Sequence, residues 1–186
     1  SSIPPGGLRK KTGFDNILTL EFNAEDLKLD KLLDEIESYW STRTEGYSEV
    51  NEKELKGMQK KAWLKTLESG FLEKKLSDND KEQLRILDIG TGPGFFPMIL
   101  AEAGYHVTAV DYTPGLLEKA AENAAKFIGE KSSNIEFKRM DAQALEFEDE
   151  SFDVIISRNL TWNLPHPDQA YGEWLRVLKK GGKLLN

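Results

Sequence analysis

The sequence predicts an α/β fold in which helices cover both faces of a doubly wound, mainly parallel sheet. From about residue 84 onward, short apolar runs alternate with segments whose apolar residues recur at helical spacing. Strands that alternate with helices pair in parallel through right-handed crossovers. Four of the apolar runs are followed directly by glycine or polar residues. Because such sheets bind ligands at the carboxyl ends of their strands, these residues predict a ligand site there.

The N-terminal part, residues 1–80, is predicted to be a tail followed by a helical lid. Residues 1–13 are rich in Pro, Gly and Lys, which indicates a loose tail, and the alternation in Phe14–Phe22 predicts a short strand. Apolar residues at helical spacing predict a first helix that ends near Trp40 and a second over about Glu52–Leu76. The charged residues of the second helix are expected to form a solvated face: Lys53, Glu54, Lys56, Lys60 and Lys61.

The core is predicted over residues 81–186. Its strands are expected at Leu84–Ile89, Tyr105–Val110, Ile135–Met140, Phe152–Ser157 and Lys183–Leu185, and its helices at Phe95–Ala103, Pro114–Ile128 and Asp168–Leu178. Thr113 is a predicted N-cap, and Lys179–Gly182 predicts the C-cap of the last helix. Because the chain stops inside the fifth strand, the sheet is expected to be C-terminally incomplete, with an edge that could pair with a second copy as a homodimer.

A glycine-rich loop follows the first predicted strand. Gly90, Gly92 and Gly94 alternate with other residues, so the backbone can approach a ligand closely, and the next helix begins with unpaired N–H groups. Asp111 stands 21 residues after Gly90, where a carboxylate can bind both hydroxyls of a ribose. A dinucleotide fingerprint would need glycine where Phe95 stands, which disfavours an NAD-dependent oxidoreductase. A glycine turn without a ligand is the other alternative.

Several strings in the core resemble the successive motifs of a known family. LDIGTGPG, VTAVDYT, MDAQALEFEDESFDVIISRN and EWLRVLKKGGKLL are similar to those of class I S-adenosylmethionine-dependent methyltransferases, in particular the methyltransferase type 11 (ubiquinone-biosynthesis-like) group. The resemblance covers about residues 80–186. It implies S-adenosyl-L-methionine as cofactor and a small-molecule methyl acceptor, and leaves the acceptor atom open. The family's sheet usually has seven strands, so the resemblance also implies an incomplete sheet.

The resemblance assigns expected roles to the residues around the glycine loop. Asp88, two residues before Gly90, would order the loop and reach the cationic amino-acid end of the cofactor through water. Asp111 would bind the ribose, and Tyr112 would lie along the adenine. Tyr47, or alternatively Trp40, would face the reactive methyl from the lid, since a cationic sulfonium is attracted to aromatic faces. The loop residues that would contact the cofactor are Asp88, Gly90, Thr91, Gly92 and Gly94.

The ends of the third and fourth strands supply the remaining candidates. By the resemblance, Asp141 would accept the exocyclic amine of adenine, with the Ala142 N–H at the ring. A turn cap is the alternative role for Asp141. Arg158 and Asn159 would line the methionine end, and an ion pair with a surface acid is the alternative role for Arg158. His166 follows the fourth strand and could act as a general base, although it lies in a proline-rich turn.

Composition narrows the classes of function. The chain has 25 basic and 32 acidic residues, a net charge of −7, which argues against non-specific binding to nucleic acid. No apolar run approaches the roughly 20 residues that a membrane span needs. The absence of cysteine excludes disulfides and thiolate metal sites and fits a cytoplasmic protein. In-line methyl transfer needs neither a nucleophilic residue nor a metal, and a cofactor-binding module without turnover is a further alternative.

Overall fold

The computed structural model describes residues 24–71 and 77–186, with side chains described from residue 31 onward. The strands are β1 (Arg85–Ile89), β2 (His106–Asp111), β3 (Ile135–Arg139), β4 (Phe152–Ser157) and β5 (Leu178–Leu185). The α-helices are α1 (Ala24–Ser41), α2 (Thr44–Lys56), α3 (Gln59–Phe71), α4 (Asp78–Gln83), α5 (Phe95–Glu102), α6 (Pro114–Ile128) and α7 (Pro167–Val177). Short 3₁₀ helices cover Gly129–Asn134 and Thr161–Asn163. The predicted strand Phe14–Phe22 lies outside the described residues.

The five strands form one parallel sheet in the order β3-β2-β1-β4-β5. The order confirms the predicted doubly wound α/β fold. The central strand β1 is buried along four of its five residues, and Ile86 lies between Val107 of β2 and Val154 of β4. The chain leaves β1 toward β2 on one side and reaches β4 on the other, so the switch point lies at the carboxyl end of β1.

Two apolar layers enclose the sheet. Alternate residues of β1 serve opposite faces, as the two-residue period of a strand requires: Ile86 packs into one layer and Leu87 and Ile89 into the other. On the first face Phe96 of α5 is buried, and on the second face Trp174 of α7 is fully buried. Because both faces are covered, the ligand-accessible part of the sheet is the edge formed by its strand ends.

The predicted second helix is wrong in its bounds. The structure has two helices there, α2 and α3, separated by Gly57 and Met58. The N–H of Gly57 bonds to the carbonyl of Glu54, after which the Gly57 backbone is extended. A Cβ on Gly57 would lie 3.1 Å from the Lys53 carbonyl oxygen, so glycine suits this sharp stop. The first of them, α2, begins at Thr44, well before the predicted start at Glu52.

The predicted C-cap at Lys179–Gly182 is also wrong. Helix α7 ends at Val177, and Leu178 already has an extended backbone and pairs with Phe152. The segment lies inside β5, where the register against β4 shifts and Gly181 adopts a φ of +79°. Both carboxylate oxygens of Asp153 accept hydrogen bonds from Lys179 Nζ at 2.9 Å. Pairing with β4 therefore prevails over the local capping preference.

Helix α4 was not predicted, although the sequence carries its start signal. The Ser77 hydroxyl accepts the N–H of Asp80, and the Asp80 carboxylate accepts the N–H of Ser77. This reciprocal arrangement is a capping box with Asp in the place of the usual Glu or Gln. The helix is only six residues long and leads directly into β1.

Candidate cofactor site at the carboxyl end of the sheet

A cleft opens at the carboxyl ends of the strands. Its walls are the glycine loop, the ends of β2, β3 and β4, and the N-terminal helices α1 and α2, which together are called the cap below. Nine of the predicted site residues line it: Tyr47, Gly90, Gly92, Asp111, Tyr112, Asp141, Ala142, Arg158 and Asn159. Asp88 and Thr91 line a smaller cavity that shares three of these residues with the cleft. Gly94 lines neither space.

The three loop glycines meet two different requirements. The N–H groups of Gly90 and Thr91 bond to the Val110 carbonyl at 2.9 and 3.0 Å, which holds the loop against β2. Gly90 and Gly92 have φ of +72° and +54° and form part of the cleft wall. A Cβ on Gly94 would lie 3.1 Å from the Cβ of Ala120. Gly94 is therefore required for packing between α5 and α6, not for lining the cleft.

The Asp111 carboxylate joins the glycine loop to the start of α6. Its Oδ2 accepts the Gly92 N–H and its Oδ1 accepts the Thr113 N–H, each at 2.9 Å. Burial raises the pKa of Asp111, while these N–H groups act in the opposite direction. The carboxylate also lies in the lining of the cleft, where its oxygens are hydrogen-bond acceptors only when ionised. Thr113 occupies the predicted N-cap position, but its side chain makes no capping hydrogen bond.

The end of β3 contributes a cleft wall that a distant tryptophan supports. Asp141 Oδ1 accepts the N–H of Gln143 at 2.8 Å, so this carboxylate caps a turn as well as lining the cleft. The Ala142 carbonyl accepts a hydrogen bond from Trp174 Nε1 at 2.9 Å. Trp174 is fully buried and lies 32 residues away in sequence. Sequence reasoning missed this support because no local pattern connects α7 to Ala142.

The opposite wall comes from the N-terminal helices. Trp40 of α1 and Tyr47 of α2 both line the cleft, and their ring centroids lie 5.6 Å apart. A Cβ on Gly92 would lie 3.0 Å from Cε1 of Tyr47, so the tyrosine ring rests directly on the glycine loop. Burial raises the pKa of Tyr47. Both aromatic residues that the sequence offered for the lid therefore reach the cleft.

An ion pair connects α2 to the end of β4. Arg158 Nη1 and Nη2 donate to the two carboxylate oxygens of Glu54 at 3.2 and 3.0 Å. The guanidinium carbon also lies 4.9 Å from the ring centroid of Trp63. The predicted solvated position of Glu54 is wrong, because its side chain is only 18% exposed. Glu54 follows Tyr47 by two helical turns and so lies on the same face of α2.

Replacing Glu54 by Gln should lower the free energy of unfolding by roughly 1–2 kcal/mol, because Arg158 would lose its partner in a partly buried position. Urea unfolding measures the change. Lys56→Gln is the matched control, since it removes an exposed ion pair with Glu52 within the same helix. Pairing Glu54→Gln with Arg158→Gln should recover part of the loss. Equal effects of Glu54→Gln and Lys56→Gln would show that the Glu54 pair is not specially stabilising.

The candidates for acid–base or metal chemistry do not come together. His166 is exposed at the N-cap position of α7 and does not line the cleft. Its backbone N–H donates to Gln143 Oε1 at 2.7 Å. Among the described residues, no group of His, Asp and Glu could hold a metal ion. Within residues 24–71 and 77–186, no helix is both long and apolar enough to span a membrane.

Comparison with known proteins identifies the family. A family model for a methyltransferase domain matches residues 87–186, which includes β1, the glycine loop and β5. The chain belongs to this methyltransferase family. Membership of this class I family implies that the cofactor is S-adenosyl-L-methionine. The resemblance of the motif strings is thereby confirmed.

The relatives share this domain but are named for different methyl acceptors. A demethylmenaquinone methyltransferase of Clavibacter sepedonicus is 37% identical over 101 residues, 54% of this chain and 39% of the relative. An arsenite methyltransferase of Halobacterium salinarum is 36% identical over 102 residues, 53% of this chain and 25% of the relative. The match therefore spans well under half the length of either relative.

A solved structure supports the fold. The crystal structure described as an S-adenosyl-L-methionine-dependent methyltransferase from Methanococcus maripaludis superposes with a TM-score of 0.67, covering 78% of this chain and 63% of the other. The identity is 22%, so this likeness concerns the architecture alone.

The residues present fit the implied cofactor. The cleft floor is glycine backbone, where a Cβ at Gly90 would lie 2.9 Å from Leu160 and take up space in the cleft. The carboxylate of Asp111 lies beside it in the cleft lining and can accept hydrogen bonds. The hydroxyl of Thr91 is buried with no hydrogen-bond partner among the described residues, as expected where a ligand or water completes the site.

Proposed function

We propose that this chain binds S-adenosyl-L-methionine in the cleft and promotes transfer of its methyl group to a small-molecule acceptor. One observation carries the proposal: the glycine loop and the ends of three further strands converge on a single cleft that two aromatic residues of the cap also line. Each element alone has a structural explanation. Their meeting at the switch point of a doubly wound sheet is the arrangement that binds nucleotide-like ligands.

Each wall of the cleft has a task that follows from its chemistry. Asp111 accepts hydrogen bonds from the two ribose hydroxyls at the end of β2. Asp141 and the backbone of Ala142 recognise the edge of adenine, and the glycine loop admits the methionine end. Tyr47 and Trp40 close the cleft from the cap and exclude water. The cofactor supplies a methyl group already activated on a sulfonium, so alignment and desolvation are the main contributions of the protein.

Calorimetric titration with S-adenosylhomocysteine, with NAD as the comparison ligand, tests the proposal directly. We expect binding of the former alone, with a dissociation constant in the micromolar range typical of such sites. Binding of NAD alone would establish the dinucleotide alternative. Binding of neither would refute the cofactor assignment for this chain.

Asp111→Asn should weaken binding of S-adenosylhomocysteine by roughly 1–3 kcal/mol, because the amide replaces one acceptor oxygen with a donor. Glu82→Gln is the control: Glu82 is an exposed acid on α4, at the opposite end of the sheet. The same titration measures both variants, with thermal unfolding to check that each remains folded. Unchanged affinity in Asp111→Asn would remove this residue from the ligand contacts.

The acceptor is not fixed by the relatives. One is named for demethylmenaquinone and another for arsenite, and their identities to this chain differ by one percentage point.

A cofactor-binding module without turnover is the second candidate function. The observation that favours it is the absence of a histidine from the cleft in the described residues. Methyl transfer to a panel of thiol, phenol and amine acceptors separates the two, since the second candidate binds the cofactor without product.

A further inference from the structure

One buried polar residue of α6 bonds both to the glycine loop and to the cap. Asn123 is only 6% exposed, and the other buried residues of this helix are apolar: Leu116, Ala120 and Ala124. Asn123 Nδ2 donates to the Pro93 carbonyl of the loop at 3.2 Å and to the Ser48 hydroxyl of α2 at 3.0 Å. A buried amide is costly unless its hydrogen bonds are made, so these two bonds explain how asparagine is accommodated among apolar residues.

The two partners of Asn123 each follow a residue of the cleft wall directly. Pro93 follows Gly92, and Ser48 follows Tyr47. Gly92 and Tyr47 are also the place where the loop and the cap touch, since a Cβ on Gly92 would lie 3.0 Å from Cε1 of Tyr47. Asn123 itself lines neither the cleft nor the smaller cavity. The amide therefore joins the two walls from behind their contact, outside the space for the ligand.

The chemistry of this position requires an amide. The Pro93 carbonyl can only accept, so the group beside it must be a donor, and the NH₂ of asparagine supplies one donor for each partner. An ionised aspartate would offer no donor. Ala120, one turn before Asn123, lies on the same face of α6 and would contact a Cβ on Gly94 at 3.1 Å. One face of α6 thus supports the glycine loop both by packing and by a hydrogen bond.

We propose that Asn123 is a positioning residue, which holds the Tyr47 ring in place on the glycine loop and so sets the width of the cleft for the ligand. This inference rests on the proposed function and concerns the same cleft. Without the amide, the Ser48 end of α2 and the loop lose their shared hydrogen-bond partner, and the ligand must order both walls when it binds. The free energy of that ordering is subtracted from the free energy of binding.

Calorimetric titration with S-adenosylhomocysteine and urea unfolding of the same variants test this role. Asn123→Leu, which is close in size and cannot form these bonds, should weaken binding about tenfold and lower the free energy of unfolding. Ser48→Ala keeps the bond to Pro93 and should weaken binding about threefold. Lys126→Gln is the matched control, because Lys126 also reaches from α6 to α2, through an exposed ion pair with Glu52, and its loss should leave the affinity unchanged.

A double variant separates positioning from support of the fold. Ser48→Ala combined with Asn123→Leu should recover part of the stability that Asn123→Leu loses, because no buried hydroxyl is left without its partner. Its affinity should stay about tenfold lower, because the amide that joins the two walls is still missing.

Three outcomes would overturn the inference while leaving the proposed function intact. They are an unchanged affinity in Asn123→Leu, a recovery of affinity together with stability in the double variant, and an unchanged affinity in Ser48→Ala, which decides the question if Asn123→Leu does not fold. If the unmodified protein did not bind S-adenosylhomocysteine, the proposed function and this inference would fall together.

Discussion

Asp88→Asn should stabilise the protein at about pH 8 by roughly 2–4 kcal/mol. The side chain is 2% exposed, and burial raises its pKa to about 7, against about 3.9 in an unfolded chain. The folded state therefore holds more protons than the unfolded state between about pH 4 and about pH 7. Over that window the stability of the unmodified protein falls as pH rises, because the unfolded chain ionises freely whereas the buried carboxyl of the folded state retains its proton. Asn is neutral throughout and avoids this cost.

Urea unfolding of the unmodified protein and of Asp88→Asn, at about pH 5 and about pH 8, measures the effect. The advantage of the variant should be small at the lower pH and several times larger at the higher one. Glu82→Gln, at an exposed acid, should change stability little at either pH. An equal advantage at both pH values would mean that Asp88 is already ionised in the folded protein at about pH 5, so that burial does not hold its pKa near 7.

Elements with strong local signals were predictable from the sequence. The bounds predicted for α6 and β4 coincide with those observed, because Pro114 and Gly129 mark the ends of the helix and an apolar run marks the strand. The strand ends that converge on the cleft followed from the topology of a parallel sheet. Eleven of the twelve predicted site residues line the cleft or the cavity beneath it. The element bounds and the residues at the strand ends could both be predicted because each is encoded within a short segment of the sequence.

Features that depend on partners distant in sequence were not predictable. Glu54 was expected in solvent, but its partner Arg158 is 104 residues away and only the fold brings them together. Lys179–Gly182 has the composition of a C-cap, yet pairing with β4 makes it a strand. Gly94 was expected at the ligand, and its close neighbour Ala120 on α6 could be identified only from the structure. In each case a tertiary contact prevails over a local preference.

Gly90→Ala should weaken binding of S-adenosylhomocysteine by roughly 100-fold or more, about 3 kcal/mol. The added Cβ would lie 2.9 Å from Leu160 Cδ2 in the cleft, where the ligand must approach the loop backbone. The backbone of Gly90 has φ +72°, so alanine also strains the fold by about 1–2 kcal/mol. A measurement of affinity alone would not separate these two effects.

Gly181→Ala provides the separation. Gly181 has φ +79°, a Cβ added to it would meet no atom within 4 Å, and it lies in β5 away from the cleft lining. The variant should lose a similar amount of stability in urea unfolding and keep its affinity in the calorimeter. If both variants bound equally well, the ligand would not approach the glycine loop, and the convergence of strand ends would no longer argue for a cofactor site. If only Gly90→Ala lost affinity, the loop backbone itself would be the surface against which the ligand lies.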